Sequence, residues 1–241
     1  DHTIYKFGTA KLVNKHDKYF LHIPVTYDVE ESDISDICNV VGIDRGINFV
    51  VATYDSKRKS GFVSGKAIKQ KRANYSKLRK ELQMRQTPSA RRRMKAIGSR
   101  ENRWMQDVNH QVSKALVKNN PKHTLFVLED LSGIRNATER VRTKDRYVSV
   151  SWSFYDLEQK LIYKAKQNQS TVIKVNPAYT SQCCPVCGHI EKANRNKKIH
   201  LFRCKNCGYK SNDDRIGAMN LYRMGINYLE DNQVPDTVTA E

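Results

Sequence analysis

The chain has 241 residues and carries 43 lysines and arginines against 25 aspartates and glutamates, a formal net charge of +18 at pH 7. This length suits one large domain with an insertion, or two domains, and the positive charge predicts a polyanionic partner. The sequence shows no apolar run long enough to span a membrane, no signal-peptide pattern and no lipidation motif, so we expect no membrane partner. The lysine-rich composition with only six cysteines favours a reducing cytoplasm.

The first part of the chain, residues 1–36, is predicted to form a β-hairpin followed by a linker. Apolar and β-branched residues indicate strands over residues 4–13 and 18–29, and the polar stretch 14–17 is a plausible turn between them. The acidic stretch 30–36 is predicted to link this hairpin to the next unit.

A second unit is predicted over residues 37–180, and two of its strands end in a carboxylate. Asp44 closes the first strand of this unit, and Glu129 closes the fourth, which has the apolar composition of a buried strand. A polar loop over residues 132–149 and a helix over 152–168 separate the last two strands. The strands are predicted at residues 40–44, 49–54, 61–64, 124–129 and 171–175.

Residues 66–118 are predicted to form a long basic helical hairpin, which Thr87 and Pro88 divide into two arms. Between Lys66 and Gln106 there are fourteen lysines and arginines and two acids. Such a run is usually a solvated face, but this one is too one-sided for lacing by salt bridges, so we favour nucleic-acid contact. The candidate contact residues are Arg91, Arg92, Arg93, Lys95, Arg100 and Arg103.

Residues 181–210 contain two C-x2-C pairs separated by sixteen residues, a spacing typical of a four-cysteine zinc site. The two-residue gaps select the ligands, and the adjacent Cys183 is left as a neighbour. His189 and His200 are alternative ligands, and two disulfides in a secreted domain are the competing interpretation. The predicted ligands are Cys184, Cys187, Cys204 and Cys207.

A final helix is predicted over residues 211–229, with Asn212 or Asp213 as its cap and a disordered tail over 230–241. Spacings of three and four place Asp214 on the apolar face of this helix, whereas Asp213 is turned away. A carboxylate aimed at a packing surface needs a partner charge or a metal ion. The alternative is that both aspartates only complement the positive end of the helix.

The element order from residue 39 onward is that of an α/β, RNase H-like fold: three strands, helix, strand, helix, strand, helix, with the zinc segment before the last helix. This topology predicts that Asp44, Glu129 and Asp214 converge. Their repulsion would require cations, and carboxylate oxygens suit Mg²⁺. Two Mg²⁺ ions at such a site can support phosphodiester hydrolysis.

Several stretches together resemble TnpB, the RNA-guided endonuclease family of insertion sequences, which is related to compact type V CRISPR nucleases. They are GIDRG around Asp44, VLEDLSGIR around Glu129, SWSFYDLEQKLIYKA, NPAYTSQCCPVCG and DDRIGAMNL around Asp214. The resemblance covers nearly the whole chain and implies a RuvC nuclease domain with a zinc ribbon. It also implies Asp44, Glu129 and Asp214 as catalytic acids, a guide RNA and target DNA as partners, and residues 1–30 as the end of a wedge domain.

The leading hypothesis is therefore an RNA-guided, Mg²⁺-dependent DNA endonuclease, of which this chain is an N-terminally truncated fragment. A catalytically inactive nucleic-acid-binding module, acting as a guided repressor, is the second hypothesis, and the presence of all three acids disfavours it. A transposase that joins DNA strands is the third. Strand transfer requires a domain that binds donor ends, and the sequence shows no helix-turn-helix pattern for one.

Overall fold

The structure is a computed structural model that describes residues 5–15, 17–30, 32–131 and 154–233. The chain divides into two compact units, one up to residue 31 and one from residue 32 onward. The loop predicted over residues 132–149 and residues 234–241 of the predicted tail lie outside the described residues. Among the described residues, no helix combines the length and the apolar character that crossing a membrane requires.

The first unit contains the predicted hairpin, with each of its two strands divided in two. Gly8 and Pro24 interrupt the strands, and the Gly8 N–H donates to the Pro24 carbonyl at 2.9 Å. Because Pro24 has no N–H, it cannot return the bond that a regular antiparallel ladder would have there. The paired strands are β1 (Lys6–Phe7) with β4 (Val25–Thr26), and β2 (Lys11–Lys15) with β3 (Lys18–His22).

The second unit is built on a mixed five-stranded sheet in the order β7-β6-β5-β8-β9. The central strand β5 runs parallel to β8 and antiparallel to β6, and β8 is also parallel to β9. The predicted strands are confirmed to within one residue at either end. Their bounds are Asn39–Asp44 (β5), Phe49–Asp55 (β6), Ser60–Ser64 (β7), Thr124–Glu129 (β8) and Thr171–Val175 (β9).

Helices cover both faces of this sheet, because its central strands are apolar on both sides. Val41 and Phe126 belong to the core shared with α2 and α3, whereas Val40 and Leu125 pack with Leu221 of α4. The break at Pro88 is confirmed, and the Thr87 hydroxyl accepts from the Ala90 N–H. The helices are α1 (Lys66–Arg85), α2 (Pro88–Lys118), α3 (Phe154–Gln167) and α4 (Asp213–Gln233).

The segment between β9 and α4 carries its own small antiparallel sheet, ordered β10-β11-β12. Phe202 is fully buried there and packs with Ile216 of α4, so this sheet shares a small core with the final helix. The strands are Arg195–Asn196 (β10), Leu201–Arg203 (β11) and Lys210–Asn212 (β12).

Two predicted boundaries need correction. Helix α4 continues to Gln233, so the first residues of the predicted tail are helical. Residues 32–36 were predicted as linker, but they belong to the second unit: Asp33 caps a short 3-10 turn, and Ile34 packs against the core beside α4. The acidic residues of this stretch gave no indication that Ile34 packs in the core.

Helix α4 approaches β5 very closely because the strand has a glycine at its centre. A Cβ placed on Gly42 would lie 2.1 Å from the carbonyl oxygen of Ala218 and 2.4 Å from the backbone nitrogen of Tyr222. No real Cβ tolerates such a distance, so only glycine permits this packing. The close approach brings the first turn of α4 to the end of the sheet where β5 and β8 finish.

Candidate active site and metal centre

The three predicted acids meet at this end of the sheet, on the face that α4 covers. Asp44 and Glu129 are the last residues of the parallel neighbours β5 and β8. Strand alternation gives them the same face as Val40 and Leu125, which pack against α4. Asp214 lies in the first turn of α4. The Asp44 carboxylate contacts this helix directly, since a Cβ on Gly217 would lie 2.7 Å from Asp44 Oδ2.

The charges of these acids are coupled. Burial raises the pKa of Asp44 well above its usual value, and the negative charges of Glu129 and Asp214 raise it further. Burial likewise raises the pKa of Glu129 and that of Asp214. The guanidinium of Arg195 opposes the rise at all three carboxyls. Such a cluster favours any added positive charge, whether a proton or a metal cation.

Asp214 presents a buried oxygen that has no hydrogen-bond partner among the described residues. This atom is Oδ2, whereas Oδ1 lies 3.7 Å from the guanidinium of Arg195. The backbone around Asp214 is fixed by Asn212, whose Oδ1 accepts from the N–H groups of Asp214 and Arg215 at 3.0 and 3.1 Å. Asn212 is therefore the cap, and the free carboxylate oxygen fits a hard cation.

Asp213 was predicted to be turned away from the packing face of the helix, but it is not exposed to solvent. Its carboxylate is fully buried and accepts from Arg195 Nε at 2.8 Å, and it lies 3.3 Å from His200 Nδ1. The helical-face argument could not show that the inserted segment supplies ion-pair partners to Asp213. Asp213 is consequently a buried member of an ion-pair network.

His200, which was an alternative ligand for the cysteine site, belongs to this ion-pair network and does not lie among the four cysteines. Asn48 Nδ2 lies 2.7 Å from His200 Nε2, and Lys69 donates to the oxygen of the same amide. The amide nitrogen therefore faces the ring, which makes Nε2 the acceptor and leaves Nδ1 to donate to Asp213. Ligand atoms of His200, Asp213 and Asp214 lie within 4.8 Å of one another, close enough to hold an ion.

Arg45 follows Asp44 and connects the ends of β5 and β8 to helix α3 through hydrogen bonds. Its side chain is buried, and its guanidinium donates to Glu158 Oε2 of α3 at 3.0 Å and to the backbone oxygen of Glu129 at 2.5 Å. The Glu129 backbone is thus held by a charged donor, while the Thr180 hydroxyl donates to its carboxylate Oε1. Sequence reasoning did not find Arg45, Thr180 or Arg195, because each acts across more than fifty residues of chain or from within the inserted segment.

The four predicted cysteine ligands lie together in the inserted segment, and their sulfurs are all within 4.8 Å of one another. The Sγ atoms of Cys184 and Cys207 are 3.6 Å apart, and those of Cys187 and Cys204 are 3.5 Å apart. Tetrahedral zinc with Zn–S bonds of about 2.3 Å requires sulfur separations of about 3.8 Å. Four thiols at this spacing could hold a single metal ion such as zinc.

The two cysteine pairs sit in two separate tight turns of the same geometry. The Gly188 N–H donates to the Cys184 carbonyl at 2.9 Å, and the Gly208 N–H donates to that of Cys204 at 3.1 Å. The two glycines have φ values of +74° and +73°, a region that other residues rarely adopt. Cys183 stands outside the cluster, and burial raises the pKa of its thiol, which opposes the thiolate form that a metal needs.

The helical hairpin α1–α2 exposes most of its positive charge. The acid Glu101 is buried and accepts from Arg72 at 3.3 Å and from Arg79. Of the fourteen basic residues between Lys66 and Gln106, twelve are not part of this ion pair, and Glu81 is the other acid of that stretch. The six basic residues predicted to contact nucleic acid, Arg91, Arg92, Arg93, Lys95, Arg100 and Arg103, are all exposed.

These elements define a mixed α/β protein with an acid cluster at the sheet end and a four-cysteine cluster in the segment before α4. Residues 22–138 match a protein-family model described as "Probable transposase", and residues 154–221 match one described as "Cas12f1-like, TNB domain". The cryo-EM structure of a Cas12f1–sgRNA–target DNA complex superposes with a TM-score of 0.61 at 18% identity, covering 88% of this chain and 55% of that one. The likeness at this identity shows a common fold.

Curated relatives identify the family. The chain is 30% identical to the TnpB-like protein MJ0751 of Methanocaldococcus jannaschii, covering 88% of this chain and 72% of that protein. It is 31% identical to the CRISPR-associated endodeoxyribonuclease Cas12f1 of Syntrophomonas palmitatica, with 86% of this chain covered. The chain belongs to the TnpB-like family. It spans 43% and 53% of two Cas12f1 relatives, about half the length of each.

We expect Cys204→Ser to abolish metal binding by the inserted segment and Cys183→Ser to leave one zinc per chain. Structural zinc contributes about 10–16 kcal/mol in zinc-finger peptides, so its loss should unfold β10–β12. Inductively coupled plasma mass spectrometry of the two purified variants measures the difference. Equal zinc loss from both variants would contradict the assignment of the four ligands.

We expect Asp44→Asn to stabilise the chain against urea at pH 7 in buffer free of Mg²⁺. A raised carboxyl pKa means that the folded state binds a proton more tightly than the unfolded state, so folding stability is lost as pH rises through the raised value. The gain should therefore shrink as the pH falls toward about 4, the ordinary value. Asp107→Asn, which removes an exposed carboxylate of α2, is the matched control and should leave the urea midpoint at pH 7 nearly unchanged.

Proposed function

We propose that this chain is the nuclease part of an RNA-guided, Mg²⁺-dependent DNA endonuclease. In this proposal the five-stranded sheet is an RNase H-like domain of the RuvC type, the cysteine segment is a zinc ribbon, and the first unit ends a wedge domain. The observation that carries the proposal is the convergence of Asp44, Glu129 and Asp214, whose coupled charges demand a counter-cation. An RNA-guided function is supported by similarity to the putative RNA-guided DNA endonuclease InsQ of Escherichia coli, which is 27% identical over 225 residues.

Asp44, Glu129 and Asp214 would supply the carboxylate ligands for Mg²⁺. The buried Oδ2 of Asp214 offers one such ligand, and the close-packed glycines of β5 and α4 keep the helix near enough to contribute it. When bound, a pair of Mg²⁺ ions activates water and stabilises the leaving oxygen in phosphodiester hydrolysis. Arg195 carries a positive charge at the edge of the cluster, where it partly neutralises the acids.

Cys184, Cys187, Cys204 and Cys207 would hold a structural zinc. A closed set of four thiolates leaves no open coordination position for substrate, which is typical of a structural and not a catalytic site. The zinc would stabilise the small sheet that brings Arg195 and His200 to the first turn of α4.

The partners in this proposal are a guide RNA and a target DNA. The exposed cations of α1 and α2 supply the electrostatic component of binding, which acts on backbone phosphates and is independent of base sequence. Trp104 is not available to stack on a base, because it packs against the core and carries Lys71 Nζ 4.2 Å from its ring centroid.

The experiment begins by sequencing RNA that copurifies with the chain and supplying DNA that carries the complementary sequence. We expect the wild-type chain to cleave this DNA in the presence of Mg²⁺. Each of the substitutions Asp44→Asn, Glu129→Gln and Asp214→Asn should reduce cleavage by more than about 100-fold. This threshold is the largest loss usual for an outer-shell partner of a metal, and a direct ligand should cost more. DNA and RNA binding should persist in all three variants. Asp130→Asn, one residue past Glu129, is the control.

Three results would contradict this function. Cleavage that survives all three amide substitutions would remove the acids from catalysis, and DNA joining in place of hydrolysis would favour the transposase alternative. Retained guide-dependent binding without any cleavage by the wild-type chain would favour the guided repressor.

For the basic hairpin, we expect the triple substitution of Arg91, Arg92 and Arg93 by glutamine to weaken DNA binding equally across sequences. The slope of log Kobs against log salt concentration should fall by about 0.9 for each lost duplex contact. Filter binding over a salt series measures this slope. The control replaces residues 57–59, three exposed basic residues in the turn after β6, and removes the same total charge. Equal slopes for the two triple variants would leave the hairpin as a solvated face.

A further inference from the structure

Thr180 is buried between the inserted segment and the acid cluster. It is 4% exposed, and its hydroxyl donates to Glu129 Oε1 while lying 3.1 Å from the Pro177 carbonyl. A hydroxyl has a single proton, and a carboxylate is a stronger acceptor than a neutral carbonyl, so the bond to Glu129 takes precedence. This bond fixes the rotation of the Glu129 carboxylate and leaves Oε2 free of Thr180.

The backbone of Thr180 is itself fixed by the final helix. Asn220 of α4 is 7% exposed, and its Nδ2 donates to the Thr180 carbonyl at 2.7 Å and to the Cys183 carbonyl at 2.9 Å. Both amide protons of Asn220 are thereby used. The clamp holds the turn from residue 180 to 183, and the next residue is Cys184, the first of the four clustered thiols.

The turn that presents Thr180 is strained. Tyr179 has a φ of +63°, and its carbonyl accepts from the N–H groups of Gln182 and Cys183 at 2.9 Å each. The left-handed conformation is unfavourable for a residue other than glycine, and such strain persists only where surrounding contacts enforce it. The contacts here are the clamp from Asn220 and the cysteine turn that follows.

We propose that Thr180 is a positioning residue that orients the Glu129 carboxylate for a divalent cation. Asn220 and the cysteine turn that begins at Cys184 hold Thr180 in place. The cysteine centre then affects the acid cluster as well as the fold of its own segment. This inference rests on the proposed function, since it assumes that Glu129 is a cation ligand. Thr180 itself need not touch the cation or the substrate.

The test measures Mn²⁺ binding to the 241-residue chain by electron paramagnetic resonance, so it needs no guide, no substrate and no cleavage. Thr180→Val preserves the shape of the side chain and removes the donor. We expect its Mn²⁺ affinity to fall roughly 10- to 100-fold, the usual effect of losing an outer-shell partner. Thr180→Ser keeps the hydroxyl and should restore most of the affinity. Zinc content should stay at one per chain in both variants.

Thr124→Val is the matched control. Thr124 is a fully buried threonine at the start of β8, the strand that ends at Glu129, and its hydroxyl donates to the Pro121 carbonyl. It should leave Mn²⁺ affinity unchanged even if it lowers stability. Asn220→Ala should also weaken Mn²⁺ binding, and adding it to Thr180→Val should cost little more, because both substitutions act on the same contact.

The outcomes separate this inference from the proposed function. Wild-type affinity in a folded Thr180→Val chain would overturn the positioning role, as would equal losses in Thr180→Val and Thr180→Ser. Should Thr180→Val fail to fold, Thr180→Ala, which removes the hydroxyl without adding bulk, gives the same readout. Absence of Mn²⁺ binding by the wild-type chain, or undiminished binding by Glu129→Gln, would instead overturn the metal role proposed for the acids.

Discussion

Like charges crowded at one end of an apolar sheet are the constraint around which this structure is arranged. Desolvation opposes the ionisation of Asp44, Glu129 and Asp214, and the negative charges of the other two acids add to this effect at Asp44. The chain offsets part of this cost with two arginines, Arg45 from beneath the sheet end and Arg195 from the inserted segment. Neither arginine reaches the buried oxygen of Asp214. The remaining imbalance is a cost to folding and, for the same reason, a source of affinity for cations.

The geometry of the cluster depends on packing that is set far from the charges. Gly42 has no side chain to hold α4 away from β5, and Gly217 leaves room beside the Asp44 carboxylate. Strand alternation then directs Asp44 and Glu129 toward the helix, because both share a face with the apolar residues that α4 covers. A larger residue at position 42 would lift the whole helix and withdraw Asp214 with it. Backbone proximity in the core thus controls distances between polar groups at the surface of the sheet.

Local patterns in the sequence were sufficient for the elements and for the cysteine turns. Alternation, helical spacing and the Thr87–Pro88 break each act over a few residues, so the strands of the five-stranded sheet were predicted to within one residue of their ends. The partners of the acids were not predictable in this way. Arg195 lies in a segment chosen for its cysteines, and Thr180 acts on a residue fifty-one positions away. Asp213 shows the same limit, because helical spacing does not reveal that Arg195 and His200 contact its buried carboxylate.

The internal ion pair of the helical hairpin has a consequence for the kinetics of association. Because Glu101 is buried with Arg72 and Arg79, it does not screen the exposed cations of α1 and α2. Their field extends into solvent over a Debye length of about 8 Å at physiological ionic strength. Fields of this kind raise association rates about 10- to 1,000-fold, and they lose effect as salt rises. Any polyanion will therefore meet this chain faster than a neutral partner does, and the discrimination between sequences must arise after that encounter.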